Sequence, residues 1–194
     1  LILKIGVLAI QGDFAEHIAI LHGLGIETQE VRLPHQLTAL DGLIIPGGES
    51  TTLSRLMAIY ELREPIQNMA SDGKAIWGTC AGMIMMASEI TEKDPVPLGI
   101  MDITVIRNAF GRQVDSFEQN LTIKSLDPVP YHGIFIRAPI ISRVGNEVQI
   151  LASLSDGRVV AVQQNHLLAT SFHPELTKDP RLHYRFVNMA SDSS

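Results

Sequence analysis

Apolar and polar positions change period along the chain, and the changes mark its elements. Leu3 to Ile10 is nearly all apolar and rich in β-formers, which predicts a strand covered on both faces. Gln11-Gly12-Asp13 turns the chain, with Asp13 placed as an N-cap. Phe14, Ala15, Ile18 and Leu21 then share one face of a helix over Phe14 to Leu24, ended by Gly23 and Gly25. Glu27 to Leu33 alternates as a second strand, and Gly42 to Ile45 is a third, stopped by Pro46. After Gly47-Gly48, a helix carries Leu53, Leu56, Met57 and Tyr60, with Ser50 or Thr51 as its N-cap. A second helix runs from Arg63 to Ser71. Ala75-Ile76-Trp77 is a short buried strand, and Met83 to Ala87 begins another helix.

The second half reads differently. Ser88 to Leu98 is polar, holds Pro95 and Pro97, and predicts a surface loop. Short β-rich runs follow at Ile100 to Ile106, Gln119 to Ile123, Tyr131 to Ile136, Ala138 to Ser142, Val148 to Ser153, Val159 to Gln163 and Leu167 to Ser171. They predict antiparallel strands added to the sheet. Asp179-Pro180 opens a last helix with Leu182, Phe186, Val187 and Met189 buried, and Ser191 to Ser194 is expected to fray. The whole predicts an α/β protein: one domain over residues 1–194, with a central, mostly parallel sheet between two helical layers, extended by antiparallel strands.

Composition narrows the function. An apolar fraction of 45% and a charged fraction of 19% describe a globular protein, and a net charge of -6 argues against nucleic acid as the main partner. No secretory signal, membrane-length apolar run or Walker-type loop is visible. The single cysteine excludes an internal disulfide and suits a reducing cytoplasm. The chain opens on Leu1, so its native start is expected to be missing or replaced.

That cysteine lies in Gly78-Thr79-Cys80-Ala81-Gly82, directly after the strand at Ala75-Ile76-Trp77. This is the nucleophile-elbow pattern with cysteine in place of serine. The glycines let the chain turn sharply, and the positive end of the following helix favours a thiolate. A free cysteine is also often just a small buried hydrophobe, so the spacing carries the reading. The nucleophile needs a base, and there are seven histidines. His17 and His22 are expected at the surface of the first helix, and His35 and His132 in turn-like segments. His166 is expected at a hairpin and His183 on the last helix. His173 stands apart, in Ser171-Phe172-His173-Pro174-Glu175 after an apolar strand. In an extended segment, residues two apart point the same way, so Glu175 can fix the His173 tautomer. The backbone N–H groups of Gly48 and Ala81 are candidates for an oxyanion hole. No histidine, cysteine and carboxylate cluster has metal-ligand spacing, so no metal is expected.

Further segments stand beside these: Gly6 to Gly12 with Glu16-His17, Pro46 to Thr52, Arg107 to Gln113 with Asp115 to Glu118, Phe135 to Pro139, and Ser171 to Leu176. Together they resemble the class I, triad-type glutamine amidotransferases, and within them the glutaminase subunits of pyridoxal 5′-phosphate synthases. The elbow and His-x-Glu mark the broad family, and Arg107 to Glu118 and Phe135 to Pro139 mark the narrower group. The resemblance implies a flavodoxin-like class I fold and hydrolysis of L-glutamine to L-glutamate and ammonia through a cysteine thioester. It implies Cys80, His173 and Glu175 as the triad, and glutamine contacts at Gly48, Glu49, Ser50, Arg107, Ile136 and Arg137. It also implies a partner, the synthase subunit, a (β/α)8 barrel that receives the ammonia in a hetero-oligomeric complex. Pyridoxal phosphate is then a product of that complex, and no cofactor is expected here.

Overall fold

The computed structural model describes residues 3–109, 116–126 and 128–193. Its first half runs β1 (Lys4–Leu8), α1 (Phe14–Gly23), β2 (Glu27–Val31), β3 (Gly42–Ile45), α2 (Ser50–Ile59), α3 (Arg63–Ser71), β4 (Ala75–Thr79) and α4 (Ala81–Met86). Then come β5 (Ala87–Ile90), β6 (Met101–Ile106), β7 (Ser116–Leu121), β8 (Tyr131–Ile136), β9 (Ile140–Val144), β10 (Gln149–Ser153), β11 (Val159–Gln164), β12 (Leu167–Thr170) and α5 (Arg181–Asp192). Among the described residues, ten strands form one sheet in the order β2-β1-β3-β4-β12-β11-β9-β6-β5, with β10 on β11. From β2 to β12 neighbours run parallel, while β11 is antiparallel to β12, β9 and β10. No helix among the described residues is long and apolar enough to cross a membrane.

Side chains leave the strands alternately to two faces. On one face Leu43, Ile45 and Ile76 meet Leu53 and Met57 of α2, Ile66 of α3 and Met83 of α4. On the other, Ile5, Val7, Ile44 and Trp77 meet Leu21 of α1 and Leu182 and Phe186 of α5. All of these are essentially fully buried, and each such side chain stabilises the fold by about 1.5–3 kcal/mol. The result is the expected α/β/α sandwich, with the parallel strands sending their carboxyl ends to one edge.

Four expectations about elements need correction. β12 is no antiparallel extension: it lies in the sheet centre, parallel to β4, and is buried throughout, as a continuous apolar run should be. β7 and β8 do not join the sheet but form a separate two-stranded ribbon, with Phe117 stacked on Phe135 at 4.5 Å and Phe135 tilted against Phe172 at 5.5 Å. His132 therefore lies in a strand rather than a turn. The start of the presumed loop after Ala87 is β5, an edge strand whose exposed Ser88 and Glu89 suit that place. At the C-terminus α5 persists through Asp192, and His183 rather than Met189 takes the fully buried position. Ser194, and within the resembling segment Phe110 to Gln113 and Asp115, lie outside the described residues.

Candidate active site

The loops after β1, β3, β4 and β12 converge where the parallel strands end, the usual ligand crevice of an open α/β sheet. Cys80 is the single residue between β4 and α4. Its backbone sits at φ 48° and ψ -106°, a conformation costing about 1–3 kcal/mol that clusters at functional sites. Two things hold it there. The Cys80 N–H donates to the Thr170 carbonyl at the end of β12, at 2.8 Å. The flanking glycines also let α4 press against the sheet. A Cβ at Gly82 would lie 1.9 Å from the Ile45 carbonyl oxygen, and one at Gly78 would lie 2.5 Å from the Gly82 carbonyl carbon.

His173 leaves β12 and lines the same cleft as Cys80, near enough for the thiol to act on the ring, while the thiol itself donates to the Ile136 carbonyl at 3.9 Å. The His173 N–H donates to the Ile134 carbonyl of β8 at 2.8 Å, so the β7–β8 ribbon braces the site. Its ring Nδ1 lies 2.6 Å from Glu175 Oε1. The sequence argument paired these two through an extended segment, whereas the pair is made by a single 3-10 turn, Pro174–Leu176. Both side chains are buried. Burial opposes a charged ring, but the neighbouring Cys80 and the hydrogen-bonded carboxylate of Glu175 outweigh it and push the His173 pKa up to about 10. Burial raises Glu175 as well, and the bond to His173 pulls it back. The combination favours an imidazolium lying against a carboxylate.

A cleft of about 520 Å³ opens beside Cys80 and His173, a size usual for small-molecule sites. Gly48, Glu49, Ser50, Ala81, Arg107, Ile136 and Arg137 all line it, so every residue proposed for glutamine or oxyanion contact reaches one space. Glu175 stands behind His173, outside that lining. The N-cap of α2 is Glu49, not Ser50 or Thr51: its carboxylate accepts from the Thr51 N–H at 3.0 Å and the Thr52 N–H at 2.7 Å. Burial works against its charge, but these bonds and the Thr52 hydroxyl prevail and lower its pKa to about 2. Arg107 approaches the same carboxylate at 3.4 Å and donates to the Asp94 carbonyl at 2.6 Å. Arg137, exposed at the rim with φ 42°, has no ion pair among the described residues.

The profile of the SNO glutamine amidotransferase family matches residues 7–192. The chain belongs to that family. A protein of Herpetosiphon aurantiacus named pyridoxal 5′-phosphate synthase subunit PdxT is 56% identical over 190 residues, covering 96% of this chain and 100% of that one. A Dehalococcoides mccartyi protein of the same name is 55% identical over 190 residues, covering 97% of each chain. A crystal structure described as a glutamine amidotransferase superposes with a TM-score of 0.91 at 48% identity, covering 96% of this chain and 98% of its own.

Sequence reasoning missed two side chains of this SNO-family site. Asp13 occupies the N-cap position of α1 but makes no cap bond; its Oδ2 lies 3.5 Å from His173 Nδ1. Asp13, His173 and Glu175 thus bring ligand-type atoms within 4.8 Å of one another, a cluster that sequence spacing did not reveal. His17, expected at the surface, is fully buried and lies 3.4 Å from Glu175 Oε2. Its place on the face of α1 shared with Leu21 was the available signal, being four positions earlier.

Proposed function

We propose that this chain is the glutaminase subunit of a pyridoxal 5′-phosphate synthase, hydrolysing L-glutamine and supplying ammonia to the synthase subunit. The whole chain works as one glutaminase unit. The observation that carries the chemistry is the placement of Cys80, on a strained elbow, with the Glu175-paired imidazole of His173 beside it at a cleft.

The reaction has two halves. The Cys80 thiolate attacks the side-chain amide carbon of glutamine, and the developing oxyanion rests on the N–H groups of Gly48 and Ala81. His173, charged through the neutral range, gives its proton to the amide nitrogen; the carbon–nitrogen bond breaks and ammonia leaves. The now neutral ring takes a proton from water, and the hydroxide attacks the thioester. The carbon–sulfur bond breaks, releasing glutamate and returning the thiolate. Arg137, without an ion pair among the described residues, clamps the α-carboxylate of the substrate, while Arg107 braces Glu49, whose carboxylate faces the α-ammonium.

Ammonia released into water at neutral pH is mostly ammonium, which is no nucleophile. The reaction therefore calls for a receiving enzyme docked over the cleft, proposed to be a (β/α)8 barrel. The lone cysteine suits a reducing compartment, and the cytoplasm is the proposed location. The test is glutamine turnover by the chain with and without the synthase subunit. Turnover should rise sharply on adding the partner, and Cys80→Ala should abolish it while keeping its circular dichroism. Full turnover in Cys80→Ala refutes the nucleophile, and equal turnover with and without the partner refutes the coupling.

A further inference from the structure

Behind the triad, away from the cleft, lie two histidines that the proposed reaction does not use. His17 of α1 and His183 of α5 are both fully buried. His17 Nδ1 is 2.9 Å from His183 Nε2, and His17 Nε2 faces Thr79 Oγ1 at 3.3 Å and Glu175 Oε2 at 3.4 Å. Trp77 walls the pair, its ring centre 5.7 Å from that of His17 and 4.9 Å from that of His183. Burial holds both rings neutral, reinforced at His17 by His183 and His173, and lowers His183 to about 3.

A neutral imidazole carries one N–H, so a single proton lies between the two rings. If His17 Nδ1 held it, His183 would carry its own proton on Nδ1, which is buried without a hydrogen-bond partner among the described residues. His17 Nε2 would then turn a lone pair toward the Glu175 carboxylate. The opposite arrangement leaves His183 Nδ1 as an unpartnered acceptor, a lesser cost than a buried unpaired N–H, and removes the second conflict. His183 Nε2–H donates to His17 Nδ1, and His17 keeps its proton on Nε2, aimed at Thr79 and Glu175. Glu175 Oε2 needs that donor: it is buried and makes no hydrogen bond of ordinary geometry among the described residues, while Oε1 is taken by His173. At 3.4 Å the contact is long, and a small rotation of either side chain closes it.

We propose that His17 is a positioning residue for the glutaminase reaction: its Nε2–H, fixed by His183, holds the second oxygen of Glu175 and so aims the carboxylate at His173. The proposal rests on reading Cys80, His173 and Glu175 as the triad. Three elements meet at this point: α1 through His17, α5 through His183, and the turn after β12 through Glu175 and His173.

Long-range 15N NMR of the imidazoles in the full chain tests the arrangement without any variant. Both His17 and His183 should be protonated at Nε2 and bare at Nδ1; a proton on His17 Nδ1 with a bare Nε2 overturns the proposal. Two substitutions, assayed with the synthase subunit, test its consequence. His17→Phe keeps an aromatic ring and removes the donor, so kcat should fall about tenfold or more with KM little changed. The acid limb of its pH profile should move to higher pH, because Glu175 without that donor takes a proton more readily. His17→Gln returns an amide N–H near the Nε2 position and should recover most of the rate and the limb. A folded His17→Phe with wild-type kcat and acid limb overturns the proposal, as does a His17→Gln as impaired as His17→Phe. The tautomer result stands whether or not glutamine is turned over, whereas normal turnover in Cys80→Ala removes the triad reading itself.

Discussion

His173 owes its charge to its neighbours, since burial alone would strip the proton from a histidine in this place. Cys80 and Glu175 are the neighbours that raise it. The wild-type ring should therefore hold its proton up to about pH 10. In Cys80→Ala one of these raising influences is gone, burial remains, and the carboxylates of Glu175 and Asp13 oppose it, so the pKa falls. NMR titration of the His173 ring in the two proteins checks this, and an unchanged value would mean that the thiol does not hold the imidazolium. The pairing of His173 with Glu175 was legible in the sequence because the two are only two residues apart. Asp13 and His17 were not, because their approach to His173 and Glu175 joins distant parts of the chain and depends on α1 packing against the turn after β12.

The elbow depends on α4 lying close to β3, and Gly82 is where the backbones come nearest. Gly82→Ala would set a Cβ 1.9 Å from the Ile45 carbonyl oxygen, so the helix must move off the strand. The expected cost is about 2 kcal/mol or more in urea unfolding, together with loss of glutamine turnover as Cys80 is displaced. A stable and active Gly82→Ala would show that the tight seat of α4 is unnecessary. At this scale the chain was read well where local chemistry decides, as with α3, β3 and β8, whose bounds follow from Gly, Pro and apolar runs. It was read poorly where a partner decides. Glu49 caps α2 because Thr51 and Thr52 present their N–H groups to it, and no preference for Ser or Thr foretells that. The β7–β8 ribbon looks like any other hairpin in sequence and is set apart by the packing of Phe117 on Phe135 and of Phe135 against Phe172.

Across the whole molecule, the parallel half of the sheet supplies the position and the later strands supply the walls. β1, β3, β4 and β12 lie side by side, so Gln11 and Asp13, the Gly48 turn, Cys80 and His173 gather at one edge despite being spread over more than half the chain. The alternation of strands and helices foretold that edge, while the central place of β12, which brings His173 to Cys80, is fixed by its burial on both faces. Arg107 and Arg137 line the cleft together with the α2 N-terminus, Arg107 engaged with Glu49 and Arg137 without an ion pair among the described residues. The most direct test of this arrangement is mass spectrometry of the chain, with its synthase partner, after exposure to a glutamine-analogue electrophile. A single adduct on Cys80, suppressed by excess L-glutamine and much reduced in His173→Ala, is the predicted result. An unmodified Cys80, or a modification that glutamine leaves untouched, would contradict a glutamine site built around that sulfur.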